Sequence, residues 1–267
     1  TVIDVSSFIA GPFCTTQLGE FGAEIIKCEL PGVGDPLRKF GTVHPCGETL
    51  PWLSECRNKK IASLDLRKPD GAALFKRLVA DADILVENFQ PGTMEKWGLG
   101  YETTLAARHP RLIYCNVSGF GADGPLGGLP GYDAVAQAIS GLMSINGTPE
   151  SGPVRLGVPV VDYLTGYNAM VGVLLALMIF GWFSAYNNKD KASLAYSVWM
   201  LTAFVQIMST YMPEGPRVAE FLIDMEDVRF RHHYLFYPVF TSFGYLQAVC
   251  YAIFAATFLN AKKHAPW

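Results

Sequence analysis

The sequence predicts an α/β fold with a parallel, doubly wound sheet, followed by an all-α hydrophobic tail. Two observations carry this expectation. Over residues 1–158, short β-rich runs alternate with helical patterns, as crossover-connected parallel strands require. From Tyr163 onward the texture changes. Three long uncharged runs appear, Tyr163–Phe183, Ala192–Met212 and Tyr234–Ala261. Each exceeds the eighteen or so apolar residues that make a membrane helix a candidate.

The strand candidates come in order. "VIDVSS" (Val2–Ser7) is the first, followed by Gly11-Pro12 and a helical pattern reaching Gly22. "AEIIKCEL" and "KKIASLDL" are the second and third, and Pro69-Asp70 then opens the helix "GAALFKRLVADA". Proline suits a first helical turn, where its missing N–H costs nothing. "DILVENF" is the fourth strand and "RLIYCNVSGF" the fifth. In the tail, Lys189, Asp190 and Lys191 separate the first two apolar runs. A charged loop from Glu214 to Arg231 separates the last two, and Lys262-Lys263 follow. Trp182, Tyr234 and Tyr237 sit near run ends, as interfacial aromatics do. The tail therefore reads as two or three transmembrane helices.

Half of the 267 residues are hydrophobic and 17% are charged, against about a quarter charged in ordinary soluble chains. The net charge of −3 offers nothing to nucleic acid. Six cysteines show no C-x-x-C pair and no metal-like spacing, so they read as reduced thiols and no metal is expected. His232-His233 are adjacent and point apart, without matching ligands nearby.

"GFGADG" (Gly119–Gly124) matches G-x-G-x-x-G after a strand, but Pro125, Gly127, Gly128 and Pro130 follow it. A dinucleotide site needs a helix there, so this reads as a Gly-rich loop. Arg57-Asn58-Lys59-Lys60 is a basic cluster before a strand, either a solvated loop or a phosphate contact. In "VENFQPGTMEKWGLGY", Asn88 lies at a strand's carboxyl end, where open α/β sheets bind ligands, and Lys96 follows. "PVVDYLTG" holds Asp162. As a nucleophile toward an activated acyl group it needs donors around it, which Thr165, Gly166 and a helix N-terminus would supply. As an N-cap it needs only that helix.

Read together, residues 1–177 resemble the family III CoA-transferases (CaiB/BaiF family). The stretches that carry the likeness include "VIDVSSFIAGPFCTTQLGEFGAEIIKCELPGVGDPLR", "RNKKIASLDLRKPDG", "ADILVENFQPGTMEKWGLGY", "YCNVSGFGADGP" and "GYDAVAQAISGLMSINGTPESGPVRLGVPVVDYLTGYNAMVGVLLAL". The last is most like members acting on dicarboxylates, of the succinyl-CoA:glutarate type. The resemblance implies a Rossmann-like large domain, here incomplete, and an interlocked homodimer. It implies coenzyme A transfer between an acyl-CoA thioester and a carboxylic acid, without metal. It makes Asp162, in "D-x-x-T-G", the nucleophile, passing through a mixed anhydride and an aspartyl-CoA thioester. It places Ala10, Leu64, Arg67, Asn88 and Lys96 along coenzyme A, with Arg57 a looser candidate for its phosphates.

Departures from the family pattern matter as well. Related racemases carry His-Asp where this chain has Tyr132-Asp133, which removes one base of a two-base proton exchange. Ile9 and Leu30 replace polar and Arg residues of some members. Beyond Leu177 the family's "R-x-x-T-G-x-G" is absent and the hydrophobic tail begins. The expected organisation is thus 1–177, a CoA-transferase N-terminal domain, and 178–267, a helical tail. The expected setting is a membrane surface, with the enzyme domain in the cytoplasm or mitochondrial matrix. The alternative is a catalytically inactive, membrane-associated docking protein descended from a CoA-transferase.

Overall fold

The computed structural model describes residues 1–188. The second and third apolar runs, the charged loop between them and His232-His233 lie outside the described residues. Contacts divide the chain after Val173, and the sheet and every site discussed below belong to the first unit, Thr1–Val173.

Five parallel strands form the sheet: β1 (Val2–Asp4), β2 (Ile25–Glu29), β3 (Lys60–Ser63), β4 (Ile84–Glu87) and β5 (Ile113–Asn116). Their order is β3-β2-β1-β4-β5. All five coincide with the runs expected from sequence, each shorter than its run. β1 lies at the centre, with Asp4 beside Lys27 of β2 and Val86 of β4. Between strands run α1 (Ala10–Glu20), α2 (Leu50–Glu55), α3 (Pro69–Ala80) and the single turn α4 (Thr93–Lys96).

Side chains alternate across a strand, so β1 serves two layers. Ile3 and Val5 join Phe75 and Val79 of α3, Leu85 of β4, and Leu99 and Leu105 in one buried cluster. Asp4 points the other way and accepts a bond from Thr15 of α1 at 2.7 Å. A parallel sheet needs both faces covered, and α1 and α3 supply this.

After β5 the chain runs through the Gly-rich loop without a helix until α5 (Asp133–Ile139), as the proline and glycine content there required. Gly119 is pressed against Gly131: a Cβ on Gly119 would lie 2.4 Å from the Gly131 nitrogen. Then come α6 (Leu142–Ile145), a two-stranded hairpin of β6 (Gly147–Thr148) and β7 (Gly152–Pro153), and α7 (Val160–Asn188). The span Val160–Phe183 of α7 is long and apolar enough to cross a membrane, with mean hydropathy 1.8. The same helix buries Gly166, Met170 and Val173.

Candidate active site

Strand order reverses between β1 and β4, and an open α/β sheet binds ligands in the crevice at such a point. A cleft of about 270 Å³ opens at this end of the sheet, lined mostly by residues at and after the ends of β2 and β3, Asp35, Leu64 and Arg67 among them, and reaching the switch point through Ser6, Ser7 and Phe89. These residues follow the carboxyl ends of β1, β3 and β4 or sit in the loop after β2.

Beneath the cleft is a fully buried ion cluster. Lys59 Nζ lies 3.0 Å from Asp4 Oδ2, and Lys27 Nζ lies 3.0 Å from Asp35 Oδ2 and 3.8 Å from Asp4 Oδ2. Burial alone would raise the Asp4 carboxyl. Lys27, Lys59 and the hydroxyls of Ser6 and Thr15 reverse this and hold it well below the usual carboxylate range. Burial likewise works against a charged Lys27, but Asp4 and Asp35 outweigh it and keep the ammonium charged. Two cations against two anions leave no net buried charge, the condition under which such a group is tolerable.

The cluster reaches the cleft through the loop joining β1 to α1. Lys27 Nζ donates to the Ser6 carbonyl at 2.7 Å. Asp35 accepts the N–H groups of Phe8 and Leu37. Asn88 holds Ser7 from both sides, accepting its N–H at 2.8 Å and donating to its carbonyl at 2.7 Å. Phe8 stands in the left-handed region with φ of 62°, a conformation that costs a residue with a Cβ about 1–2 kcal/mol.

Asp162 lies on the other side of α1. Helical bonding in α7 starts with the Tyr163 N–H to the Pro159 carbonyl at 3.1 Å, which puts Asp162 inside the first turn. The capping reading is corrected by this placement: the exposed donor at Val161 is satisfied by Asp133 Oδ1 of α5 at 2.9 Å. Proline at the cap position has no side-chain acceptor, so the acceptor comes from a distant element. Asp133 is itself held by buried Gln137, whose Nε2 donates to Oδ2 at 2.7 Å and whose Oε1 accepts the Leu156 N–H at 2.9 Å.

The donors expected around Asp162 are not there: among the described residues no hydrogen bond reaches its carboxylate. Burial, with the negative charge of Asp133 added, pushes its pKa up to about 6. Thr165 and Gly166 have other surroundings. Gly166 shares a helix face with Asp162, one turn on. A Cβ there would lie 2.7 Å from the Ala10 carbonyl oxygen and 2.8 Å from the Phe13 ring. The glycine thus lets α7 rest directly on α1. Phe13 packs edge-on between Tyr163 and Tyr167, at 4.9 and 4.8 Å. Tyr163 donates to buried Glu55 of α2 at 3.0 Å.

The structure therefore sorts the expected coenzyme A residues. Leu64 and Arg67 line the cleft, with Arg67 bonded twice to Asp65 at 2.8 and 2.9 Å. Asn88 borders the cleft through Ser7. Ala10 is buried in the first turn of α1, against Gly166. Arg57 lies apart, paired with Glu20 at 2.9 Å, and Lys96 is exposed at the end of α4. Sequence reasoning passed over Asp4, Lys27, Asp35 and Glu55, and it weighed Asp133 only against the racemases. A signal existed for two of them: Asp4 and Lys27 are charges inside apolar strand runs, which need partners when buried.

Comparison with known proteins fits this architecture. The model of CoA-transferase family III matches residues 1–182. The chain belongs to CoA-transferase family III. The beta subunit of succinyl-CoA–L-malate CoA-transferase from Chloroflexus aurantiacus is 50% identical over 177 residues, covering 66% of this chain and 44% of that protein. Human succinyl-CoA:glutarate CoA-transferase is 42% identical over 177 residues, covering 66% of this chain and 40% of its own. A crystal structure of a CaiB/BaiF family protein from Brucella suis superposes with a TM-score of 0.63 at 36% identity, over 67% of this chain and 48% of that one. This family III chain thus spans less than half the length of the relatives it matches.

Proposed function

We propose that this family III chain transfers coenzyme A between an acyl-CoA thioester and a carboxylic acid, with Asp162 as the covalent carrier. The carrying observation is the state of that carboxylate. No donor among the described residues quenches it, and a pKa of about 6 leaves it mostly ionised and basic at neutral pH, as a nucleophile requires. It rides on a helix that rests on α1, and α1 follows directly from the loop lining the cleft.

In this reading the Asp162 carboxylate attacks the thioester carbonyl carbon and expels the coenzyme A thiolate, leaving an acyl-aspartyl anhydride. The thiolate attacks the aspartyl carbonyl, releases the donor acid and leaves an aspartyl-CoA thioester. The acceptor carboxylate then displaces the thiolate, forming a second anhydride. Thiolate attack on its acyl carbon yields the new thioester and frees Asp162. Coenzyme A lies along the cleft, with Leu64 beside it and Arg67 near its phosphates. Asn88 and Ala10 shape the loop and helix between cleft and Asp162, and Arg57 and Lys96 reach the coenzyme only at its periphery. A dicarboxylic acid is the favoured acceptor, because the matched relatives are named for succinate, malate and glutarate. A homodimer follows the family resemblance. The division at residue 177 rests on where that resemblance stops, and the membrane-associated tail rests on the long apolar runs, with α7 as the one described apolar helix.

The test is incubation with succinyl-CoA and glutarate or malate, followed by hydroxylamine release of enzyme-bound acyl and coenzyme A. Wild type gives releasable label and Asp162→Ala gives none. Equal signal from both sinks the reading. The second reading, a catalytically silent docking protein at a membrane, is favoured by the apolar α7. It predicts recovery only in detergent and no coenzyme A binding by calorimetry.

A further inference from the structure

We infer that Asn88 is a positioning residue: from the end of β4 it clamps the Ser6–Phe8 loop across the switch point, holding Phe8 in its left-handed turn so that the cleft keeps its shape. This rests on the reading of the cleft as the coenzyme A site.

Five consecutive backbone groups of the loop are taken up by side chains. The Ser6 N–H donates to Asp4 Oδ1 at 3.0 Å, and the Ser6 carbonyl accepts from Lys27. The Ser7 N–H and carbonyl both pair with Asn88, and the Phe8 N–H donates to Asp35 at 3.2 Å. No ladder bond is left to hold this loop, because regular pairing ends at the Val5 N–H, which donates to the Val86 carbonyl at 3.0 Å. Asn88 imitates one further step of that ladder. Its amide presents the donor and acceptor of a peptide group, and it does so at the point where the crevice begins to open.

The conformation being held is one that phenylalanine leaves when released. Residues in left-handed backbone persist only where their surroundings over-determine them. Asp4, Lys27 and Asp35 secure the ends of the loop through the buried ion cluster, and among the described residues Asn88 is the side chain that bonds the Ser7 backbone. The amide plane of Asn88 is fixed by that double bond, and two of its four hydrogen-bonding positions are spent on it. Its contribution to ligand binding is therefore the shape of the loop, more than a contact of its own.

The experiment is a cycle of Asn88→Ala, Phe8→Gly and the double variant. It is read by amide hydrogen exchange at Ser7 and Phe8 and by calorimetric titration with coenzyme A. Both amides are expected to be protected in wild type. Asn88→Ala should deprotect Ser7 at least about tenfold and weaken coenzyme A binding about tenfold. A binding-competent loop that is populated about a tenth of the time binds about tenfold more weakly. Phe8→Gly should bind within about twofold of wild type, since glycine adopts this turn without strain. In the double variant glycine should recover a large part of the affinity lost in Asn88→Ala.

Unprotected Ser7 and Phe8 amides in wild type overturn the clamp without recourse to any variant. Strictly additive losses in the cycle overturn it as well, because a clamp that opposes strain must couple to the strained residue. If wild type binds no coenzyme A, the functional reading of the cleft falls, and the exchange measurement alone decides the clamp.

Discussion

Asp4 and Asp162 are two carboxylates on opposite sides of one helix, and the more deeply buried is the stronger acid. Asp4 is wholly enclosed, yet two ammonium groups and two hydroxyls keep it ionised far below the usual range. Asp162 is only partly enclosed. Burial, with the charge of Asp133 added and no donor among the described residues, raises its pKa to about 6. Burial sets how much a carboxylate's partners matter; the partners set the direction. The region around Asp4 pairs its buried charges with one another and serves as scaffold, with Asp35 Oδ2 met by its ion pair to Lys27 and, among the described residues, by no hydrogen bond. The start of α7 leaves the Asp162 carboxylate without a hydrogen bond among the described residues, the setting from which its proposed role as nucleophile is argued.

The largest expected effect comes from removing the satisfied partner. Asp4→Ala leaves Lys27 and Lys59 buried without their shared anion and should cost about 3–5 kcal/mol, read as a fall in the urea midpoint. An unchanged midpoint would mean that the cluster does not hold the sheet together. The pH dependence has a definite sign. Asp4 is a stronger acid folded than unfolded, so its stabilisation is complete above pH about 4 and drains away as pH falls further.

Next is the contact that seats α7 on α1. Gly166→Ala forces a methyl against the Ala10 carbonyl, a backbone atom that cannot swing aside. Overpacking of about 1–3 kcal/mol is offset by about 1 kcal/mol of helix propensity. Thermal unfolding should show a net loss, and the hydroxylamine-releasable label should fall with it. A Tm at or above wild type would show that α7 does not sit on α1 in this way.

A smaller effect has the opposite sign. Asp162 is a weaker acid folded than unfolded, so the fold disfavours its charge. The cost is absent below pH about 4, builds up to pH about 6 and stays constant above. Asp162→Asn should therefore gain about 1 kcal/mol at pH 7–8, a figure discounted for solvent screening, and nothing at pH 4. Chemical denaturation at the two pH values distinguishes this from a general stabilisation. In wild type, coenzyme A transfer should decline as pH falls through 6.

The smallest expected change is at Asp133→Asn. It preserves an acceptor for the Val161 N–H, takes one from Gln137 Nε2, and removes the neighbouring charge, so the Asp162 titration should move down from about 6. Carboxyl carbon NMR would follow it. No movement would leave burial as the sole cause.

Much of the scaffold was legible because its signals are local. Five β-rich runs separated by helical patterns are visible in a linear string, and a parallel sheet follows. The site was only partly legible. Asp162 was found, but its setting was not, because the residue that starts its helix lies 28 positions earlier in α5. The basic cluster at Arg57 left a solvated loop and a phosphate contact open; in space Arg57 pairs with Glu20, 37 residues away. The Asp4–Lys59 contact spans 55 residues. Charge partnership across such distances leaves no periodic trace.

The position of β1 in the middle of the sheet also dictates an order of assembly. Asp4, Lys27, Asp35 and Lys59 all lie within the first 59 residues, so the ion cluster and the β3-β2-β1 half of the sheet can close early in synthesis. Asn88 must emerge before Ser7 is secured, and α7 before Asp162 has a place. Once about 80 residues have emerged, all four members of the ion cluster are present and Asp35 is there to accept the Phe8 N–H, while Ser7 still waits for Asn88.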